Sequence, residues 1–176
     1  MRDEIVVYRT KSGFTQQYAG WIAEELECEC VPYGSVDTDT LLKYRRVVVG
    51  GYVRYEMLDS AKEIGKLMKG LPDAVLFIVG ATPMTDRIST GFMMRKTYRQ
   101  SPYFKFVPHF YFQGGINMDK LDKKERFLLR LMSGIIMSCP FINKKMKEVA
   151  KRMLNSADFS NRENICALVE YVKAGR

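Results

Sequence analysis

A chain of 176 residues, 47% apolar and 27% charged, is long enough for one substantial core and has the make-up of a soluble globular domain, not of a disordered or fibrous protein. Its net charge of +8 and isoelectric point near 9.3 call for anionic partners: nucleic acid, an anionic membrane surface, or an anionic cofactor or substrate. There is no RNA-binding signature or Cys/His finger, no apolar run long enough to span a bilayer, and no apolar leader after Met1-Arg2-Asp3-Glu4; the expectation is a cytoplasmic protein without nucleic-acid partners, at most peripheral on the inner face of a membrane.

Ile5-Val6-Val7-Tyr8 is a short apolar, β-branched run that reads as a buried strand. Beyond it Phe14, Tyr18, Ile22 and Leu26 recur every fourth residue, with Ala19 and Ala23 beside them, which marks one apolar face of a helix. The hexapeptide between, Thr10-Lys11-Ser12-Gly13-Phe14-Thr15, is therefore a strand-to-helix turn. The positive end of the helix and its unpaired backbone N–H groups favour an anion there. Thr10, Ser12 and Thr15 add hydroxyl donors, and Gly13 lets an oxygen approach the backbone. The turn lacks the Gly and Lys-Ser/Thr spacing of a P-loop and the three glycines of a dinucleotide fingerprint, so it suits a terminal phosphate monoester held without metal. A plain N-capped turn uses the same residue types. The position on the first strand of the chain favours the phosphate.

Glu29 to Pro32 reads as a short second strand, at the sheet edge because Pro32 ends it. Val36 to Leu42 reads as a loop with a short capped helical turn. Arg45 to Gly51 is a third strand, followed by a loop, Tyr52-Val53-Arg54-Tyr55-Glu56-Met57. A helix with Ala61, Ile64, Leu67 and Met68 as its core face is stopped by Gly70 and Pro72. Ala74 to Gly80 is a continuous apolar run suited to burial on both faces, and Ala81 to Asp86 is the loop beyond it. Arg87 to Gln100 forms a helix, and Val107 to Gln113 a fifth strand closed by Gly114-Gly115. Leu121 to Met137 is a helix, amphipathic and then nearly wholly apolar, inside a basic segment at about 118–139; Ser160-x-x-Glu163 caps a last helix with Ile165, Leu168, Val169 and Val172 inward. Cys28, Cys30, Cys139 and Cys166 are scattered and His109 is the one histidine, so no metal site is expected.

Strands alternating with helices predict a single α/β domain over 1–176 in three layers, a parallel sheet with helices on both faces; five strands with an anion loop after the first fit the known doubly wound order 2-1-3-4-5. Ligands in such sheets lie beyond the carboxyl ends of the strands, at the switch point between the first and third. That brings together the loops Thr10 to Thr15, Gly51 to Tyr55 and Ala81 to Asp86, a site for a mononucleotide with a planar ring.

The loop Thr10 to Thr15 resembles the phosphate loop of the flavodoxin family. Val47 to Tyr55 and the run Phe112-Gln113-Gly114-Gly115 with its basic, apolar insert are similar to the flavodoxin-type, menaquinone-dependent protoporphyrinogen oxidases. The resemblance implies an FMN cofactor, with Thr10, Lys11, Ser12, Gly13, Phe14 and Thr15 around its phosphate. Gly51, Tyr52, Val53 and Arg54 would flank the ring, and Ala81, Thr82 and Pro83 would close its other side. It implies a dehydrogenase passing electrons from a porphyrin or another small molecule to a quinone, though no residue is marked as catalytic. A non-catalytic electron carrier is the alternative, as is a flavin-free binding module on the same fold. Arg54 has three readings: stabilising reduced flavin, pairing with a substrate carboxylate, or serving as a plain loop cation. Tyr52 and Tyr55 either stack on the ring or pack. The helix from Leu121 to Met137 is either a core element or, given Lys120, Lys123, Lys124, Arg126 and Arg130, an interfacial helix at an anionic membrane.

Overall fold

The computed structural model describes residues 2–141, 147 and 154–175. The chain divides into two compact units, Met1–Gly114 with Ser160–Arg176, and Gly115–Phe159.

In the first unit five parallel strands follow the order β2-β1-β3-β5-β6: β1 (Arg2–Tyr8), β2 (Glu29–Pro32), β3 (Tyr44–Arg54), β5 (Ala74–Gly80) and β6 (His109–Gln113). A two-residue strand, β4 (Met57–Leu58), turns back antiparallel onto β3. The crossovers are helical. α1 (Phe14–Leu26) and the C-terminal helix α6 (Cys166–Ala174) cover one face of the sheet, where Tyr18, Ile22, Leu168 and Val172 meet Val48, Phe77 and Phe112. α3 (Ala61–Lys69) and α4 (Arg87–Gln100) cover the other, where Ile64, Met68 and Met93 meet Val47, Leu76 and Ile78. Between β2 and β3 lies the single turn α2 (Thr38–Leu41), capped by Asp37, whose carboxylate accepts from the Thr40 N–H at 2.6 Å. Strand β5 is buried on both faces, which is why it reads as an unbroken apolar run.

Three local expectations need correction. The stretch from Tyr52 to Met57 is not a loop: β3 continues to Arg54 and joins β4 through Tyr55 and Glu56, both at positive φ (49° and 59°), as in a type I′ turn. Burial of Leu58 and the packing of Val53 against the same core hold this hairpin, without the Asn-Gly that usually announces one. Replacing Glu56 with Gly is therefore expected to stabilise the fold by about 1 kcal/mol in urea denaturation, by relieving left-handed backbone strain. Second, β6 starts at His109, not Val107. A 3-10 turn, Pro102–Lys105, buries Phe104, and Pro108 offers only its carbonyl, to the N–H of Leu76 at 2.9 Å. Third, the last helix is led by a 3-10 turn, Arg162–Ile165, whose N-cap is Asn161 and not Ser160; the Asn161 amide oxygen accepts from the Glu163 N–H at 3.0 Å. Its inward residues Ile165, Leu168, Val169 and Val172 are buried as the spacing predicts.

The Tyr18 hydroxyl ties this C-terminal segment to the sheet. It donates to the Gln113 carbonyl at 2.6 Å and accepts from the Asn161 N–H (3.1 Å) and the Asn164 side-chain amide (3.0 Å). Tyr18 is fully buried, so Tyr18→Phe leaves three polar groups short of a partner. The expected loss is about 1–3 kcal/mol, read from denaturant unfolding.

The second unit holds β7 (Gly115–Ile116) paired antiparallel with β8 (Ala157–Asp158), so Gly115 opens a strand instead of closing the previous one. A 3-10 turn, Met118–Lys120, follows, and the Met118 N–H donates to Ser156 Oγ at 3.0 Å. Helix α5 (Lys123–Ser138) begins at a capping box: the Asp122 carboxylate accepts from the Glu125 N–H at 2.8 Å, and Glu125 reaches back to the Asp122 N–H at 3.1 Å. The helix does not form a core: of its residues only Ser133 is buried, while Phe127, Leu128, Leu131, Met132, Ile135 and Met137 are exposed.

Candidate functional site

β1 ends at Tyr8, level with Gly50 of β3, and the Arg9 N–H continues the ladder by donating to the Gly50 carbonyl at 2.9 Å. From there the chain bends at Thr10 to Gly13 and enters α1. Gly13 is the N-cap, with φ at 98°, and no side chain caps the helix. The turn is closed from within: Thr10 Oγ1 accepts from the Gly13 N–H at 3.0 Å, while the Gly13 carbonyl takes the Gln17 N–H at 3.0 Å. One of the amides expected to be free is thus engaged, but the Thr10 hydroxyl, an acceptor in this bond, keeps its own hydrogen to donate. A Cβ built on Gly13 would meet nothing within 4 Å, so open space lies over the turn. Lys11 and Ser12 are half-exposed; Thr15 is buried.

Helix α1 can take this position because of the end of β6. A Cβ on Gly114 would lie 2.6 Å from Val79 and 3.0 Å from Phe14, so only a bare backbone lets Phe14 settle there. Gly114 itself donates to the Gly80 carbonyl at 2.8 Å. These features fit a phosphate: an uncapped helix N-terminus, a Thr10 hydroxyl with a hydrogen still to donate, and room above a left-handed glycine.

The residues of the third strand divide between its two faces. Gly51 and Val53 face the core, Gly51 against Leu58 and Ile64 and Val53 beside Gly80. Tyr52 and Arg54 alternate to the opposite side. A group of charges gathers here that the sequence did not reveal. The Asp59 carboxylate, mostly buried, accepts from Arg9 Nε at 3.1 Å and from the Ser60 hydroxyl at 3.0 Å, and lies 4.0 Å from the Arg54 guanidinium. Arg9 also stands over the Tyr33 ring at 5.8 Å, and Arg54 over Tyr55 at 5.0 Å. Burial first, then the charge and hydrogen bond of Asp59, push the Tyr52 phenol above its ordinary value. Two guanidinium groups thus share one carboxylate beside the turn. Only the fold joins Arg9 to Asp59, fifty residues away; the one local hint was a cation next to a hydroxyl-rich loop.

The third loop, with Ala81 and Thr82 half-buried and Pro83 exposed, is pinned by Tyr111, whose hydroxyl donates to the Thr82 carbonyl at 2.9 Å. Burial raises the Tyr111 phenol to about 12, so it stays a donor throughout the working pH range. Asp86 then caps α4 by accepting from the Ser89 N–H at 3.0 Å, and that bond holds its carboxyl below the usual range. Among the described residues no group of His, Cys, Asp and Glu is placed to hold a metal ion.

No curated protein matches the chain. Among solved structures it is similar to a flavodoxin from the domain Archaea (17% identity, 85% of this chain and 99% of that one, TM-score 0.42). Others are oxidised flavodoxin 1 from Bacillus cereus (14%, 71% and 93%, TM-score 0.45) and the Trp repressor binding protein from Bacillus subtilis (12%, 89% and 100%, TM-score 0.45). The family model described as a flavodoxin domain matches residues 5–136, from the first strand through the phosphate-type turn and into α5. With about three quarters of its length covered in this way, and its parallel sheet in the order β2-β1-β3-β5-β6, the chain belongs to the flavodoxin domain family.

Proposed function

We propose that this flavodoxin-domain protein is an FMN-dependent oxidoreductase that passes electrons from a small-molecule donor to a quinone. The observation that carries the cofactor is the uncapped start of α1, with Gly13 at φ 98° and open space above it, at the carboxyl end of the first strand. Thr10, Ser12, Thr15 and the first amides of α1 would hold the phosphate; Tyr52, Arg54 and the Ala81–Thr82–Pro83 stretch would border the ring. The bound group supplies one- and two-electron redox chemistry. The protein's own contribution is electrostatic: Arg9 and Arg54 both approach Asp59 beside the turn. Their guanidinium groups can also attract negative charge on the cofactor or on a carboxylate-bearing donor.

Protoporphyrinogen as donor and menaquinone as acceptor are the sharpest form of this reading, supported by the resemblance of Val47 to Tyr55 and of the basic segment after Gly114. An electron carrier of the flavodoxin type is the competing reading, and the net charge of +8 stands against it, because such carriers are usually acidic. Reconstitution with FMN followed by two assays decides between them: protoporphyrinogen oxidation with a menaquinone analogue, and plain quinone reduction. Turnover in both supports the full proposal. Turnover in the second alone removes the porphyrin, and electron transfer only to partner proteins removes the enzyme.

A further inference from the structure

The second unit, Gly115–Phe159, carries ten Lys and Arg against five Asp and Glu, so a quarter of the chain holds +5 of its net +8. Its helix α5 is where apolar surface and charge meet. At helical spacing Phe127, Leu131 and Ile135 stack on one line, Leu128 and Met132 on the next, and all five are exposed, Phe127 at 68% and Ile135 at 62%. Five large apolar side chains in one arc of a single helix exceed the scattered exposure of an ordinary soluble surface. Lys123 and Arg130 border that arc, and Lys124 projects from it at the helix start, where its stem can lie along apolar surface with the ammonium group in water. No helix among the described residues is long and apolar enough to cross a membrane, and α5 itself has 16 residues.

From this arrangement we propose that α5 lies in the plane of an anionic bilayer, its arc of Phe127, Leu128, Leu131, Met132 and Ile135 at the headgroup boundary and Lys123, Lys124 and Arg130 against lipid phosphates. The charge decides the occupant. An apolar arc alone would accept another protein equally well, but α5 itself carries four Lys and Arg against one Glu, and that positive charge beside the arc complements an anionic lipid surface. The site formed by Thr10 to Thr15 plays no part in this, so the proposal stands or falls apart from the cofactor.

The test is co-sedimentation of the full chain with vesicles of phosphatidylcholine alone and with about one third phosphatidylglycerol, at low and high salt. The expected result is binding to the anionic vesicles, at least about tenfold weaker on the neutral ones, and weakened by salt. Phe127→Ser with Leu131→Gln and Ile135→Gln, all exposed positions, should lower anionic-vesicle binding at least about tenfold while leaving far-UV circular dichroism unchanged. Lys123→Glu with Arg130→Glu, which keeps all five apolar side chains of the arc, should do the same through charge. Wild-type protein left in the supernatant with anionic vesicles would overturn the proposal, as would undiminished binding by both variants. A wild type that is dimeric without lipid and a monomeric triple variant, with no vesicle binding by either, would assign the arc to a second copy of the chain instead.

Discussion

Ser12→Glu should weaken FMN binding by at least about 100-fold, because it places a carboxylate where the account puts a phosphate and two like charges in close approach cost several kcal/mol at a partly screened site. The residue lies in the turn between Thr10 and Gly13, half-exposed and outside the core, so the substitution should leave the melting temperature nearly unchanged. That contrast separates it from a fold defect. Loss of flavin fluorescence quenching on titration, beside an unaltered thermal transition, is the expected pair of observations. Ser12→Glu protein that titrates like the wild type would show that the anion does not sit in this turn.

The largest stability effect should come from Arg46, far from that turn. Its side chain is buried at the start of β3, with Nε 2.6 Å from the Asp73 carboxylate and one terminal nitrogen donating to the Val172 carbonyl at 2.6 Å; the guanidinium also stands 5.9 Å from the Tyr171 ring. One side chain therefore joins β3, the turn before β5 and the last helix. Arg46→Met keeps much of the volume but leaves the Val172 carbonyl and the Asp73 carboxylate without this donor. The expected cost is about 2–4 kcal/mol, a fall in melting temperature of about 5–15 °C. Asp73→Asn should cost much less, since Asp73 is partly exposed and water can replace the lost charge. Equal losses from the two changes would mean that the ion pair, and not the buried guanidinium and its carbonyl partner, holds the helix.

How much of this was legible in the sequence follows from how local each cause is. Strand β2, strand β5 and helix α4 have the bounds their residues predict; for the two strands the signals, an edge proline and a continuous apolar run, are contained within the segment. The order of the sheet was legible as well, since alternating strands and helices leave few ways to wind. The hairpin at Tyr55–Glu56 was not: its turn residues violate the usual preference, and it forms because Leu58 and Val53 find a core supplied by distant segments. The helix α5 followed the same logic in reverse. Its apolar residues satisfied a core reading on periodicity alone, and only its surroundings show that they are exposed. At the site, the turn from Thr10 to Thr15 was readable because phosphate chemistry lies in consecutive residues. The group Arg9, Tyr52, Arg54 and Asp59 was not, because it is assembled from strand ends that only the sheet brings together.

The central claim is that the turn leaving β1 grips a phosphate, and the direct measurement is a pair of titrations, FMN against riboflavin, which differ only in that group. Charge-assisted hydrogen bonds contribute about 1.5–3 kcal/mol each, so even two of them predict FMN binding at least about 100-fold tighter than riboflavin. Equal affinity for the two flavins, or no binding of either, would contradict it.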